Sequence, residues 1–530
     1  MNKLLLVLAL NLAAECCLSA QVNVLMNRYD RFMTGANTHE TALNASNVKA
    51  ESFGKLYSYY IDGPAYAQPL YVSGVRIPKR GTHNVLYVAT MNDKVYAFDA
   101  EKSGPPLWMR DLTNERLGVT PVPITDITNN NGLNVVGNVG IESTPVIDLA
   151  ANAIYVLART RENTKYVQRL HKLDLRDGRD LVPPAVIEAA VKSTAKDAVD
   201  GVLHFDPKAG NQRTALALVD GMIVIAWASH EDIQPYHGWI MAYDAAKLKQ
   251  TAALCMSPDG VEGGIWQSGR GPAVDSSGVI YYEVGNGTWD GKRNFGNSLL
   301  KLRVHGGALE VEDYFTPHDY ERLNVRDADL GSTGPLLIPN TNALIGGSKM
   351  GALYLFDTEN LRHLTPDDTG IRQTVAVNGG RVLAGPAFWD GPDGPVLYLW
   401  CEADFLKGFR FNGHLLDPVP FAKGSISSHG SPGGALTVSA NGKQAPSGVV
   451  WAALTNGRSA DHGNAAGVLR AFSAGTLEEI WNSEQQPKRD RLGTLVKFVP
   501  PTVAAGRVYV PNYDNAVNVY GLLTKETVSR

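Results

Sequence analysis

The residues from 66 to 112 read YAQPLYV (66–72), NVLYVAT (84–90), KVYAFDA (94–100) and PLWMRDL (106–112). Each run is short, rich in β-branched and aromatic residues, and followed by turn-forming residues, so the segment predicts four consecutive strands. Further along the chain, the first run returns as STPVIDL at 143, TALALVD at 214, GPAVDSS at 271, GPLLIPN at 334 and GPAFWDG at 385, with two further starts at Ser431 and Pro500. A four-stranded unit that recurs about every 40 to 60 residues is typical of the blades of a β-propeller.

The last of the eight units is incomplete. Its third strand, AVNVYGL (516–522), is followed by no outer strand, whereas GKLYSYYI (54–61) stands as a surplus strand before the first unit. Because a closed ring removes exposed strand edges, we expect the surplus strand to complete the last blade. The sequence therefore predicts an all-β fold, an eight-bladed β-propeller of four-stranded antiparallel blades closed by an N-terminal outer strand.

The N-terminus has the pattern of a secretory signal peptide. Lys3 precedes an apolar run (residues 4–14), and the small residues Ser19 and Ala20 end the segment. The run is shorter than a membrane-spanning helix, so we expect cleavage after residue 20, a secreted or periplasmic location and no membrane anchor. The rest of the chain divides into an N-terminal extension packed on the propeller (21–53), the propeller itself (54–523) and a C-terminal tail (524–530).

Charge and cysteine content narrow the function classes. The formal net charge of −4 gives no support for a nucleic-acid partner. After removal of the signal peptide only Cys255 and Cys401 remain, and the repeat places them in different blades, so we expect two thiols rather than a disulfide. Four aspartates that end third strands in different blades are interpreted as turn-forming residues: Asp99, Asp174, Asp244 and Asp357.

Unusual polar residues interrupt the repeat on one face of the predicted ring. In a four-stranded blade, the loop entering the inner strand and the loop between the second and third strands share a face, where function is expected to gather. These loops carry Ser229-His230-Glu231-Asp232 in blade three, Gly285-Asn286-Gly287 in blade four, and Asp327, Asp329 and Lys349 in blade five. Carboxylate and amide oxygens suit calcium, a hard cation. Each residue alone is also typical of a polar turn, and their convergence is what favours a site.

These motifs resemble those of the quinoprotein alcohol dehydrogenases, eight-bladed propellers that hold pyrroloquinoline quinone and calcium in the central channel. SHEDIQPYHGWIMAYD (229–244) places Asp232 in the register of the family's acidic calcium ligand, with Glu231 as the alternative. IYYEVGNGTWD (280–290) makes Asn286 the counterpart of its calcium-binding asparagine. FTPHDYERLNVRDADLGSTGP (315–335) offers Asp329 as the catalytic aspartate, with Asp327 as the alternative.

The resemblance also implies contacts with the quinone. Thr214 falls in the register of a threonine that touches the cofactor, and Lys349 matches a basic residue that contacts the quinone oxygens. Trp266 is similar to a tryptophan stacked on the cofactor but lies a few residues out of register, and packing between blades is the alternative. The chain departs from the family in two places: the adjacent cysteine pair is missing after residue 20, and Ser428-His429-Gly430 stands where an Asn-Trp pair is expected. The motifs ANTHET, PYHGW and GGIWQSG are similar to those of a group of exported bacterial propellers.

The resemblance implies an exported dehydrogenase that oxidises an alcohol or sugar hydroxyl with pyrroloquinoline quinone and calcium. Calcium would polarise the quinone carbonyl, Asp329 would accept the hydroxyl proton, and Lys349 would stabilise the developing negative charge. Because the sequence has no C-x-x-C-H haem motif, electrons would pass to an external acceptor. The alternative is a non-catalytic propeller that binds a protein or glycan partner, since a fold alone does not decide function.

Overall fold

The chain forms a ring of eight antiparallel blades around a central channel, which confirms the predicted eight-bladed β-propeller. The structure, a computed structural model, describes residues 22–128, 134–377, 379–461 and 463–524. The predicted signal peptide (1–20) lies outside these residues, as does the predicted tail apart from residue 524. Among the helices of the described segments, none has the length and apolar character that a membrane crossing requires.

In blades one to four the strands follow one another from the channel outward, as the repeat predicts. Blade one consists of Leu70–Ile77, Gly81–Ala89, Lys94–Asp99 and Trp108–Asp111. Blade two consists of Val146–Asp148, Ala153–Glu162, Lys165–Asp174 and Ala185–Val186, with Val119–Pro121 added beside the second strand. Blade three consists of Ala217–Val219, Met222–Ser229, Trp239–Asp244 and Gln250–Cys255, with Gly210–Asn211 added beside the second strand. Blade four consists of Ala273–Val274, Ile280–Glu283, Leu299–His305 and Ala308–Phe315.

Blades five to seven repeat the same order, and blade eight takes its outer strand from the N-terminal part of the chain. Blade five consists of Leu336–Leu337, Ala343–Ser348, Ala352–Asp357 and Ile371–Ala376. Blade six consists of Ala387–Gly391, Gly394–Leu399, Phe405–Arg410 and Ala422–Ser427. Blade seven consists of Ala435–Ser439, Val449–Thr455, Ala466–Ser473 and Glu479–Asn482, joined by Ala36–Asn37 and Gly493–Thr494. Blade eight consists of Thr502–Ala504, Arg507–Asn512, Ala516–Leu522 and Phe53–Tyr60.

A few elements lie outside the blades. A hairpin, Ala190–Lys192 with Val202–His204, is inserted between blades two and three. The two α-helices of the described segments are Tyr320–Arg326, on the loop entering blade five, and Pro487–Asp490. Short 3₁₀ turns are found at Glu115–Leu117, Ile124–Asp126, His230–Asp232 and Gln267–Gly269.

The ring closes as the sequence predicts. Phe53–Tyr60 pairs antiparallel with Ala516–Leu522, one residue earlier than the predicted segment 54–61. Tyr59 is buried, stacks on Phe98 of blade one with ring centroids 4.4 Å apart, and donates a hydrogen bond to the Asp99 carbonyl oxygen (2.5 Å). Tyr60 points the other way and is 82% exposed. The strand thus pairs with blade eight through its backbone and packs on blade one through alternate side chains.

Buried apolar side chains join each blade to the next. Burial of a large apolar side chain contributes about 1.5–3 kcal/mol, and these clusters include four fully buried tryptophans, Trp227, Trp400, Trp451 and Trp481. Cys255 and Cys401 are free thiols, also buried. The four repeated aspartates act in turns: Asp99, Asp174, Asp244 and Asp357 each end a third strand and accept a backbone N–H from the turn that follows.

The N-terminal extension crosses the channel at the end opposite the candidate site. Hydrogen bonds join it to seven blades: Val24 to Tyr71, Leu25 to Ile147, Arg31 to Val274, Phe32 to Leu337, Thr34 to Phe388, Gly35 to Val438 and Asn37 to Val503. These partners lie on the inner strands, beyond the loops that enter them, whereas the predicted site residues lie on the other face. The extension therefore forms the floor of the channel.

We expect the closing strand to depend on its inward-facing side chains. Tyr59→Ala should lower the free energy of unfolding by about 3–5 kcal/mol, as truncation of a buried aromatic side chain does. Tyr60→Ala, in the same strand but exposed, is the matched control and should change it by less than about 0.5 kcal/mol. Urea unfolding followed by tryptophan fluorescence measures both. Equal effects of the two substitutions would contradict the observed facing of the strand.

Candidate functional site

A cavity of about 740 Å³ opens on the channel axis, on the face where the loops enter the inner strands. Loops of every blade from two to eight contribute to its wall. Six of the seven residues predicted for the site lie in this wall: Glu231, Asp232, Trp266, Asn286, Asp329 and Lys349. The alternative aspartate, Asp327, lies there as well, so the ring brings together residues that are more than a hundred positions apart in the chain.

A lysine and two aspartates form the part of the wall that blade five contributes. Lys349 Nζ lies 2.7 Å from Asp327 Oδ1 and 2.7 Å from Asp329 Oδ1. The helix Tyr320–Arg326 ends at Asp327, whose left-handed backbone (φ 49°) turns the chain towards the lysine. The Lys349 N–H donates to the Asp329 carbonyl oxygen (3.2 Å), which holds the two loops together. The side chain of Asp327 is 66% exposed and that of Asp329 only 4%, so Asp329 takes the inner position.

The lysine keeps the inner carboxyl usable as a base. Burial raises the pKa of Asp329 to about 6, although the Lys349 ammonium acts to lower it. Burial would lower the pKa of Lys349, but the two carboxylates outweigh it and raise that pKa. Asp329 is therefore ionised at neutral pH, yet it is a stronger base than an exposed carboxylate. This is the property expected of a proton acceptor.

Asn286 connects the blade four loop to the same group. Its Nδ2 donates to Asp327 Oδ1 (3.0 Å) and lies 3.5 Å from Asp329 Oδ1. Its Oδ1 accepts a hydrogen bond from Asn297 Nδ2 (3.2 Å), which also donates to Asn324 Oδ1 (2.7 Å). Asn297 is fully buried and was missed by the sequence interpretation, although it positions the predicted ligand.

The two adjacent acidic residues of blade three take different roles. Tyr236 Oη donates to Asp232 Oδ1 (3.2 Å). Glu231 accepts two hydrogen bonds from Asn134, one from the backbone N–H (2.7 Å) and one from Nδ2 (2.8 Å). Glu231 thus braces the blade three loop against the loop entering blade two. This placement favours Asp232, rather than Glu231, as the carboxylate available to a cation.

Trp266 forms part of the cavity wall and is also packed between loops. Its ring meets Tyr236 edge to face, with centroids 6.3 Å apart and planes at 78°. A Cβ at Gly285 would lie 2.9 Å from Trp266 Cδ1, so the close approach of the indole needs a glycine there. Tyr236 therefore links the aromatic wall to Asp232, a connection that the sequence interpretation did not anticipate.

Thr214 lies behind the wall rather than in it. Its fully buried Oγ1 donates to the Ile265 carbonyl oxygen (2.8 Å). The neighbouring Arg213 lines the cavity instead, with its guanidinium over the rings of Phe498 (4.6 Å) and Tyr66 (5.5 Å). At this position the cavity wall therefore presents the cation of Arg213 rather than the hydroxyl of Thr214.

A positive region lies on the blade eight side of the cavity. Lys497 Nζ hydrogen-bonds only to neutral oxygens among the described residues, with the Ala460 carbonyl at 2.8 Å and Asn134 Oδ1 at 3.2 Å among them. Burial, and then the charge of Arg213, lower the pKa of Lys497 to about 8. Arg213 Nη2 is buried and has no hydrogen-bond partner in the described part of the chain. These two cations face a cavity whose opposite side carries Asp232, Asp327 and Asp329.

The acidic residues alone do not form a metal cage. Within the described segments, no three His, Cys, Asp or Glu side chains are grouped closely enough to hold a metal ion. The other oxygen donor nearby is the Asn286 amide, which turns its Nδ2 to Asp327 and Asp329 and its Oδ1 to Asn297, so a cation would require this amide to rotate. A cation bound here would need that amide, and further oxygens from a bound molecule or water, to complete its shell.

Two solved structures of dehydrogenases have a fold similar to that of this chain. The quinohemoprotein alcohol dehydrogenase from Comamonas testosteroni matches with a TM-score of 0.59 at 15% sequence identity, over 94% of this chain and 80% of that one. The europium-containing methanol dehydrogenase matches with a TM-score of 0.53 at 12% identity, over 94% of this chain and 98% of that one. The chain has the propeller fold of these dehydrogenases. No protein-family model and no curated protein matches it by sequence.

The positive region gives a test that needs no ligand. With a pKa of about 8, Lys497 should react with acetic anhydride with a midpoint near pH 8, whereas an ordinary lysine titrates at about pH 10.4. Arg213→Gln removes the repelling cation and should shift this midpoint upward, while Arg31→Gln, on the far side of the channel, should leave it unchanged. Peptide mass spectrometry of protein acetylated across a pH series measures it. A wild-type midpoint above pH 10 would contradict the electrostatics described.

Proposed function

We propose that the protein is an exported dehydrogenase that oxidises the hydroxyl of a small alcohol or sugar, using pyrroloquinoline quinone and a hard cation bound in the axial cavity. The observation that carries this proposal is the polarity of that cavity. A carboxylate-lysine pair, Asp329 with Lys349, faces a wall that carries Arg213 and Lys497, and neither of these two cations forms an ion pair within the described residues, although Glu231 and Asp461 line the same cavity. The similarity of the fold to two dehydrogenases supports the proposal.

The positive wall fits an acidic cofactor. Pyrroloquinoline quinone carries three carboxylates on a flat aromatic system, and guanidinium and ammonium groups are the usual partners of carboxylates. Arg213 and Lys497 form no ion pair within the described residues, so their positive charges would attract such groups, although Lys497 Nζ already donates to three neutral oxygens. Trp266 and Tyr236 supply an aromatic surface beside them.

The opposite wall fits a hard cation in its donor chemistry. Asp232, Asn286 and Asp329 present carboxylate and amide oxygens, which calcium prefers. One of the similar structures contains europium, so a trivalent lanthanide is a second cation to test. Asp232 and Asn286 would hold the cation, and Lys349 would keep Asp329 ionised beside it.

The residues of this chain then have definite tasks. Bound quinone and cation supply a two-electron acceptor with a polarised carbonyl. Asp329 accepts the proton of the substrate hydroxyl, for which its raised pKa suits it. Lys349 stabilises negative charge that develops next to it. The N-terminal extension closes the far end of the channel, so substrate, product and an external electron acceptor all use the same mouth.

Reconstitution tests the proposal. The protein lacking residues 1–20 should bind pyrroloquinoline quinone in the presence of calcium or a lanthanide and oxidise members of an alcohol and sugar panel with a dye acceptor. Asp329→Asn should retain quinone binding and lose turnover by about 100-fold or more, because the amide keeps the shape but accepts no proton. Asp319→Asn, a partly exposed aspartate on the same loop, is the matched control and should keep full turnover.

Two outcomes would contradict the proposed function or the assignment of its base. If the wild-type protein binds neither the quinone nor a cation, the dehydrogenase proposal is wrong and a propeller that binds a protein or glycan becomes the better interpretation. If Asp329→Asn turns over like the wild type, the quinone site stands but the base is another residue, of which Asp327 is the first to test.

The pH dependence should report the Asp329 carboxyl. Since the reaction needs its ionised form, kcat/KM should be constant above the carboxyl pKa and fall about tenfold per pH unit below it; burial raises that pKa to about 6 in the metal-free protein, and a bound cation would lower it. Lys349→Met removes the cation that lowers this pKa, so the acidic limb should move to higher pH. A pH profile of both proteins measures the shift, and an unchanged limb would show that another group titrates.

A further inference from the structure

A second, much smaller cavity lies on the channel axis beneath the candidate site. Its volume is about 20 Å³, which is room for one water molecule or one small monovalent ion. Phe498 and Ser268 line both cavities and form the partition between them. Arg28, from the N-terminal extension, and Arg270, from the loop entering blade four, line the small cavity.

The two guanidinium groups are buried charges without an ion pair. Arg28 and Arg270 are each 4% exposed. Both donate through Nη2 to one acceptor, the Pro386 carbonyl oxygen, at 2.6 Å, and Arg28 Nη1 donates to the Leu436 carbonyl oxygen. In the described part of the chain neither group has a salt bridge, and Arg28 Nε and Arg270 Nη1 have no hydrogen-bond partner. Two like charges are therefore held close together, and each guanidinium group keeps N–H donors without an acceptor among the described residues.

The nearest acidic residues do not remove this excess charge. Burial raises the pKa of Glu283 to about 8, so this carboxyl is mostly neutral at pH 7. The Asp30 carboxylate accepts the Phe32 N–H (2.9 Å) and the N–H and hydroxyl of Thr34, so its oxygens are used within its own turn. Burial, followed by the charge of Arg28, lowers the pKa of Arg270. The Asp30 carboxylate offsets part of this positive charge, but neither acidic group forms an ion pair with a guanidinium within the described residues, so buried positive charge remains, and it is costly.

The other polar groups around the cavity donate elsewhere. Gln267 Nε2 donates to the Arg270 carbonyl oxygen (3.2 Å), Ser268 Oγ to that of Ser332 (2.6 Å) and Thr333 Oγ1 to that of Gly334 (3.2 Å). The free donors that remain belong to the two arginines. The cavity therefore presents positive charge and N–H groups to a ligand within a space of a few ångströms.

We propose that the small cavity binds one monovalent inorganic anion of the size of chloride, which bridges Arg28 and Arg270 and fastens the N-terminal extension to the loop entering blade four. Its size excludes sulfate, phosphate and organic acids. The site is separate from the dehydrogenase cavity, and it stands whether or not that function is correct.

Thermal unfolding in chloride tests this site. The wild-type midpoint should rise by about 2 to 4 °C between 1 and 100 mM chloride, with ionic strength held constant by sodium gluconate, whose anion is too large for the cavity. Arg270→Met should abolish this rise, because one half of the bridge is gone. Arg31→Gln, an exposed arginine of the same extension, should retain it. Equal rises in all three proteins, or no rise in the wild type, would overturn the proposal.

A second experiment uses only the wild-type protein, so it tests the site even if Arg270→Met does not fold. Wild-type crystals grown or soaked in bromide, collected at the bromine absorption edge, should show an anomalous peak between the two guanidinium groups. An absent peak there, with density that fits a water molecule only, would overturn the proposal regardless of the unfolding result.

Discussion

The pairing of Phe53–Tyr60 with Ala516–Leu522 is the constraint on which the rest of the structure depends. A four-stranded blade cannot bury both of its faces alone, and a row of blades leaves one unpaired edge and two unpacked faces at its ends. Taking the last outer strand from the first part of the chain removes the edge and presses blade eight against blade one. The loops on one face are then held around a common axis.

Closure explains why an ion network can form from distant parts of the chain. The carboxylates of Asp327 and Asp329 sit on one loop, Lys349 on another and Asn286 on the neighbouring blade, yet they lie within hydrogen-bonding distance. Across the axis, Arg213 and Lys497 come from blades three and eight and form no ion pair within the described residues, although Glu231 and Asp461 lie in the same wall. The proposed function would use this cavity for a ligand that carries both a cation and carboxylates.

The fold was predictable because the same pattern of short strands recurs from blade to blade. The strand runs and the aspartates that end third strands both recur, so an uncertain assignment in one blade can be checked against the others. The candidate site was partly predictable, since Asp329, Lys349 and Asn286 stand out where the repeat is broken. Arg213, Lys497 and Asn297 carry no such signal, because one buried cation or amide looks like any other until the ring brings its neighbours close. Thr214 shows the limit of register: in the loop entering blade three, Arg213 lines the cavity while the next residue, Thr214, is buried behind it.

The most direct test of the central claim is a crystal structure of the protein with pyrroloquinoline quinone and calcium. The quinone should lie in the axial cavity, with carboxylates at Arg213 and Lys497 and the cation bound by Asp232 and Asn286 beside Asp329. Quinone density elsewhere on the molecule, or an axial cavity that stays empty at saturating cofactor, would contradict the claim.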